Sequence, residues 1–189
     1  VDRAGSPVSV FLGWMPDAAA QAVLGDMRDG LAAALPASAP RHQWRLPAQW
    51  HCTLRYLGES LAPDRRDAIE ASVAAVAAAH GRFKIALEQA QYWPGAKVLV
   101  ALLSCPAPLR QLHADLEHAL RTCGLPAEGR ALRPHVTLAY LPTRDAPPQQ
   151  VQGSASHPLN IDRIHLLQTA PRGYTSLQSW ALAGPVQDA

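Results

Sequence analysis

Lysine is nearly missing from this chain. Among 189 residues only Lys84 and Lys97 carry an ammonium group, and arginine supplies the rest of the side-chain positive charge. The formal net charge is only +2, too little to mark a nucleic-acid binder, because such domains carry a concentrated basic face. The preference for arginine still matters, since its planar fork suits bidentate phosphate contacts. Cysteine is scarce as well: Cys52, Cys105 and Cys123 are odd in number and lack paired spacing, which argues against a disulfide framework or a zinc site. No apolar run approaches the roughly 20 residues of a membrane-spanning helix. The opening "VDRAGSPVSVFLGWMP" has neither the charged start nor the long apolar core of a signal peptide, so a cytoplasmic location away from membranes is expected. Charged residues make up only 17% of the chain and hydrophobic ones 48%, a balance that argues against disorder and for a folded chain with a substantial core.

Helical and strand patterns alternate along the chain. "VSVFLGW" at 8 to 14 reads as a buried strand. "DAAAQAVLGDMRDGLAAAL" at 17 to 35 places Val23, Leu24, Met27, Leu31 and Leu35 on one helical stripe opened by Asp17. A second helix is expected from Pro63 to a cap at Gly81, and a third from about Ala107 to Gly124 with Leu109, Leu112, Leu116 and Leu120 on one side. Strands are expected at "RFKIALEQA", "KVLVALL", "IDRIHLLQT" and "SLQSWALA", and a Pro-, Gln- and Ser-rich loop at 142 to 158. The order implies an α+β fold in one bilobal domain over residues 1–189: two pseudo-symmetric, mainly antiparallel sheets facing a central cleft, with helices outside.

Each half carries one copy of a motif, "HCTLRY" at 51 to 56 and "HVTLAY" at 135 to 140. From the chain's own frequencies about 0.03 chance copies of His-x-Thr-Leu are expected, so two are on the order of one in a thousand by accident. In a strand, His51 and Thr53 share one face and His135 and Thr137 another, while Cys52, Leu54, Val136 and Leu138 fill the core behind. Two imidazole-hydroxyl pairs facing each other suit an anion with exchangeable protons on opposite sides, and phosphate is the obvious one. One neutral imidazole can take a proton from water while a charged one gives a proton to a leaving oxygen. The threonines can donate to non-bridging oxygens. No metal or other cofactor is required. A bell-shaped rate profile with its optimum near neutrality is expected.

The two motifs resemble those of the two-histidine phosphoesterase superfamily, and within it the RNA 2′,3′-cyclic phosphodiesterase, or 2′-5′ RNA ligase, family. "WRLPAQWHCTLRYLGE" resembles the first family motif, "RALRPHVTLAYLP" the second, and "LLQTAPRGYTSLQSWAL" the ending with its Gly173 and Tyr174. The resemblance implies metal-independent opening of a cyclic phosphate on RNA or oligonucleotide ends to a 2′-phosphate, with ligation as the reverse chemistry, by a protein expected to be monomeric. It makes His51 the proton donor to the departing 3′-oxygen and His135 the base that activates water, with Thr53 and Thr137 beside them. Alternatives are the same chemistry on a small cyclic phosphate, such as a cyclic nucleotide or an ADP-ribose cyclic phosphate, and a nucleotide-binding module without turnover.

Tyr140 stands where similar proteins often carry a phosphate-holding arginine. A regular strand points it away from His135. Arg133, two residues before His135, and Arg55, two after Thr53, are candidates for the missing charge, with Arg130 more distant. Tyr174 is a candidate stacking platform. The remaining histidines, His113 and His80 among them, read as structural or solvated, and the five tryptophans as packing residues.

Overall fold

The computed structural model describes residues 8–35, 42–141, 150–151 and 157–187. Helix α1 (Ala18–Ala34) starts where Asp17 Oδ1 accepts a hydrogen bond from the Ala20 amide at 2.8 Å, an N-cap that satisfies an otherwise orphaned donor. Helix α2 (Pro63–Ala79) has proline in its first turn and turns its Ile69, Val73 and Ala77 inward. It stops at His80, and Gly81 is already the first residue of the next strand rather than a helix cap. Helix α3 (Ala107–Thr122) buries the expected stripe of Leu109, Leu112, Leu116 and Leu120, each worth about 1.5–3 kcal/mol when removed from water. His80 joins α2 to α3 through Asp115, 2.9 Å from its Nε2.

Four strands form an antiparallel sheet in the order β10 (Gly173–Ala181), β9 (Arg163–Ala170), β1 (Val10–Trp14), β3 (Cys52–Gly58). β1 is buried along its whole length, as a central strand covered on both faces must be. The second sheet runs β11 (Gly184–Gln187), β4 (Gly81–Trp93), β5 (Val98–Leu103), β6 (His135–Tyr140), β2 (Gln43–Trp44), with β7 (Gln150–Val151) and β8 (His157–Ile161) also paired to β4. Its pairs are antiparallel except β11 with β4. The fold is therefore α+β. One hydrophobic core, from Leu12 and Trp14 through Leu99 and Val136 to Ile164, runs through both sheets.

Two expectations about the later strands change. "IDRIHLLQT" is not one strand: it breaks at Asp162, with β8 in the larger sheet and β9 in the smaller one. In the stretch read as loop, 150–151 and 157–158 pair with β4, and the rest lies outside the described residues. The halves are also laced together, because β2, just upstream of the first motif, leaves its own half and pairs with the second motif strand, Gln43 opposite Tyr140 and Trp44 opposite Ala139.

Both motif strands contain an extra residue directly after the threonine, and β3 has a second at Leu57, where Tyr56 and Gly58 lie opposite the adjacent Phe11 and Val10. Thr53 and Arg55 lie opposite the adjacent Gly13 and Leu12, which makes Leu54 the extra residue; Thr137 and Ala139 lie opposite Val100 and Leu99, which does the same for Leu138. Such a bulge shifts the side-chain alternation by one position. Beyond it Arg55 and Ala139 turn inward, while Tyr56 and Tyr140 emerge at 43% and 44% exposure. Arg55 is consequently not on the face of Thr53. It is 5% exposed, its Nε lies 2.6 Å from Glu117 and 3.5 Å from Glu128, and its other nitrogens donate to the carbonyls of Tyr56 and Pro126. With every nitrogen committed, Arg55 is not available to hold a phosphate. It ties β3, α3 and the segment leading to β6 together. Breaking a buried pair by removing one partner costs about 3–5 kcal/mol. Arg55→Ala should therefore lower unfolding stability by that order in urea titration, and a loss under about 1 kcal/mol would show the network to be dispensable.

Candidate active site

The bulges return the two motifs to a common pattern. His51, Thr53 and Tyr56 lie on the cleft side of the first strand and its approach, and His135, Thr137 and Tyr140 on that of the second, with buried residues behind them. His51 Nδ1 is 3.2 Å from the Gln49 carbonyl, and His135 Nδ1 is 2.7 Å from the Arg133 carbonyl. A carbonyl only accepts, so Nδ1 of each ring carries a proton and donates. Each neutral ring is thereby left with the lone pair on Nε2, in the same tautomer on both sides. Gly173 helps set this geometry: a Cβ there would meet the Ala48 carbonyl at 3.0 Å, so only glycine lets the turn Pro47–Gln49 that leads into His51 seat this closely on β10.

Aromatic rings brace both imidazoles, unequally. Phe11 and Tyr174 enclose His51, with ring centroids 4.9 and 4.3 Å away, and meet each other edge-on at 5.3 Å. His135 has Trp93 at 4.5 Å, and opens on a cavity of about 570 Å³ whose lining includes Thr53, Tyr56, Trp93, Arg130 and Arg133. Two arginines stand by. Arg133 lies over the Trp93 ring at 4.6 Å. Arg45 lies 5.7 Å from the centre of the Tyr140 ring and donates to the Tyr174 hydroxyl at 3.4 Å. Tyr140 thus faces the site, contrary to the regular-strand expectation, because the bulge at Leu138 intervenes.

Burial governs the electrostatics. It is the largest cause pushing the His51 pKa down to about 4, against the opposing Gln49 carbonyl, and the charges of Arg45 and His135 add to it. His135 is lowered too, first by burial and then by the charge of Arg133, while the Arg133 carbonyl opposes. Both rings are therefore neutral in the empty cleft near pH 7. Burial likewise pushes the Cys52 thiol up to about 12, so this cysteine is core filler. Among the described residues no three His, Cys, Asp or Glu side chains converge as a metal site would require.

The sequence reading missed Arg45, Trp93 and Phe11 as site residues and took His113, which lines the same cavity, as structural or solvated. Arg45 had no motif to mark it, since it reaches the cleft only because β2 crosses to β6. The one usable signal was the tyrosine five residues after each histidine, which marks equivalent positions in both strands.

Residues 15–172 match the 2′-5′ RNA ligase superfamily. The chain belongs to that superfamily. Among solved structures, TT0787 of Thermus thermophilus superposes with a TM-score of 0.73 at 20% identity, covering 93% of this chain and 98% of that one. LigT of E. coli, solved with 3′-AMP, gives 0.71 at 22% identity over 95% and 100%. The MHV ns2 PDE domain gives 0.62 at 17% over 86% and 100%. None of the curated proteins matches in sequence. Membership of the superfamily supports a phosphoesterase acting on RNA or nucleotide substrates. No helix among the described residues is long and apolar enough to cross a membrane.

NMR titration of the ring protons should find His51 titrating at about 4 and His135 below 6.5 in the free protein. Arg45→Ala removes a cation beside His51, which favours the charged ring, so its value should rise while His135 moves less. A ring titrating at 6.5 or above in the wild type would contradict the burial described here.

Proposed function

We propose that this protein opens 2′,3′-cyclic phosphates on RNA or oligonucleotide ends to 2′-phosphates without a metal. The observation that supports this most is the pair of imidazoles on the two motif strands, each with Nδ1 tied to the carbonyl two residues back and a threonine alongside. In the proposed step His135 Nε2 takes a proton from water as the water oxygen bonds to phosphorus. The bond from phosphorus to the 3′-oxygen breaks, and protonated His51 gives its Nε2 proton to that oxygen. Thr53 and Thr137 donate to the non-bridging oxygens, where charge builds. A 5′-hydroxyl in place of water yields a 2′-5′ linkage by the same motions.

The charge that the resemblance expects at position 140 is supplied on this reading by Arg45, held against Tyr140 and Tyr174, with Arg133 on the other side. Binding an anion favours both charged imidazoles and so brings the needed proton into a site that is neutral when empty. Burial still makes protonated His51 the readier proton donor of the two rings, as departure of an alkoxide requires.

The test is a short RNA ending in a 2′,3′-cyclic phosphate, with the product identified by its 2′-phosphate. Turnover should survive EDTA. His51→Ala and His135→Ala should each lose about 10²–10⁴-fold in rate while remaining folded, because both side chains face the cleft. More than about a tenth of the rate in either folded variant, or loss on chelation restored by a divalent ion, would overturn the mechanism.

A further inference from the structure

The two imidazoles are held unequally. His51 lies between Phe11 and Tyr174, and the Tyr174 hydroxyl is itself engaged by Arg45 at 3.4 Å. His135 meets one ring, Trp93, at 4.5 Å, and Trp93 ends β4 just before the exposed residues 94–97. An indole turns broadly about its second side-chain torsion, so at a strand end the backbone alone does not fix which way the ring faces. Gln91 does, because its side-chain oxygen accepts the Trp93 Nε1 proton at 2.9 Å. We propose that Gln91 is a positioning residue for the reaction: it touches neither the reacting atoms nor the substrate, and it sets the place of the base, His135, through the Trp93 ring. The inference rests on the function proposed above, in which His135 is the base.

Gln91 and Trp93 are two apart on β4 and share a face, while Tyr92 between them is buried in the core. A bond from the ring to the residue two before it leans the indole back over the sheet, towards His135, instead of out past the turn. An indole nitrogen only donates, so the Gln91 atom that meets it is the amide oxygen. Gln91 is a firm anchor because it sits between two partner strands, opposite Val100 of β5 and Gln150 of β7. Val100 in turn lies opposite Thr137, so the brace springs from the same row of the sheet as the motif threonine. The cavity that opens beside His135 is lined by Trp93 and not by Gln91, which leaves the ring as the route by which Gln91 acts. That ring also carries the Arg133 guanidinium at 4.6 Å, and the Arg133 carbonyl holds His135 Nδ1 at 2.7 Å. Pro134, with its fixed φ, joins the two. Arg133, His135 and Trp93 thus form a closed triangle of contacts, and one hydrogen bond from Gln91 ties it to the middle of the sheet.

The experiment is a double-mutant cycle on a short RNA ending in a 2′,3′-cyclic phosphate, with kcat and KM read separately, beside NMR of the Trp93 indole proton and the His135 ring protons. Gln91 is half-buried, so its variants should fold. Gln91→Leu, similar in size and without an acceptor, should lower kcat by about tenfold with a smaller change in KM, since misplacing a reacting group by about 1 Å can cost about 10²-fold. The indole proton should shift on loss of its acceptor, and the His135 ring protons as the indole moves from them. Gln91→Glu restores an acceptor of the same reach and should recover most of the kcat and the wild-type indole signal, with a higher KM because its charge opposes an anionic substrate. In a Trp93→Phe background, which has no N–H to hold, Gln91→Leu should cost nothing further in kcat. An equal loss in that background, a loss confined to KM, or full kcat in Gln91→Leu would overturn the proposal. If the wild type did not cleave the RNA, the proposed function would fail on its own. The spectra would then decide the brace: shifts produced by Gln91→Leu and reversed by Gln91→Glu support it, and signals unchanged by Gln91→Leu refute it.

Discussion

The extra residue that follows the threonine in each motif strand, Leu54 and Leu138, shapes almost everything at the cleft. Without it the alternation of a strand would carry Arg55 into the site and turn Tyr56 and Tyr140 into the core. With it, the cation goes inward and the two rings go outward. Buried Arg55 then finds Glu117 and Glu128 and fixes the segment that leads to His135. Tyr140, now facing the cleft, supports Arg45, the residue after β2, and β2 pairs there because the first half lends a strand to the second. A local irregularity of backbone pairing thus sets both the wall of the cavity and the position of a cation.

The second constraint is the tension between burial and charge. Rings packed at 4.3 to 4.9 Å around the two imidazoles exclude water, and two arginines add positive potential, so the free site favours neutral histidines. Such a site holds no acid until an anion arrives. On the proposed mechanism, binding and protonation are therefore one thermodynamic event. The expectation of an optimum near neutrality set desolvation of the rings against the charge of the phosphate, and the burial of both rings here weighs on the side of desolvation in the free protein.

What was legible in the sequence followed from simple periodicity. The leucine stripe of α3, the capped start of α1 and the paired His-x-Thr segments all obey a fixed repeat, and the resemblance of the flanking segments supplied the family. The bulges were not legible, because they arise from how β3 and β6 register against β1 and β5, and a repeat of two cannot show where it breaks. Arg55 and Tyr140 were misplaced for that reason. Arg45 was invisible because only the crossing of β2 brings it to Tyr174, and Trp93 because its position at the end of β4 looks like any core aromatic.

The central claim, that two buried imidazoles act as an acid and a base with the proton drawn in by substrate, is tested most directly by the pH dependence of kcat/KM and kcat on a cyclic-ended oligonucleotide. The singly protonated free enzyme is most populated between about 4, for His51, and the lowered value of His135; there the proton rests mainly on His135, and the productive form, with the proton on His51, is a minor tautomer whose population follows the same pH dependence. Thus kcat/KM should be bell-shaped with its maximum below 6.5, falling as pH rises because the pair loses its one proton and falling in acid because the pair gains a second. Bound phosphate raises both values, so the kcat profile should lie at higher pH. A flat kcat/KM through this range with chemistry rate-limiting, or a kcat profile displaced to lower pH than kcat/KM, would contradict the account.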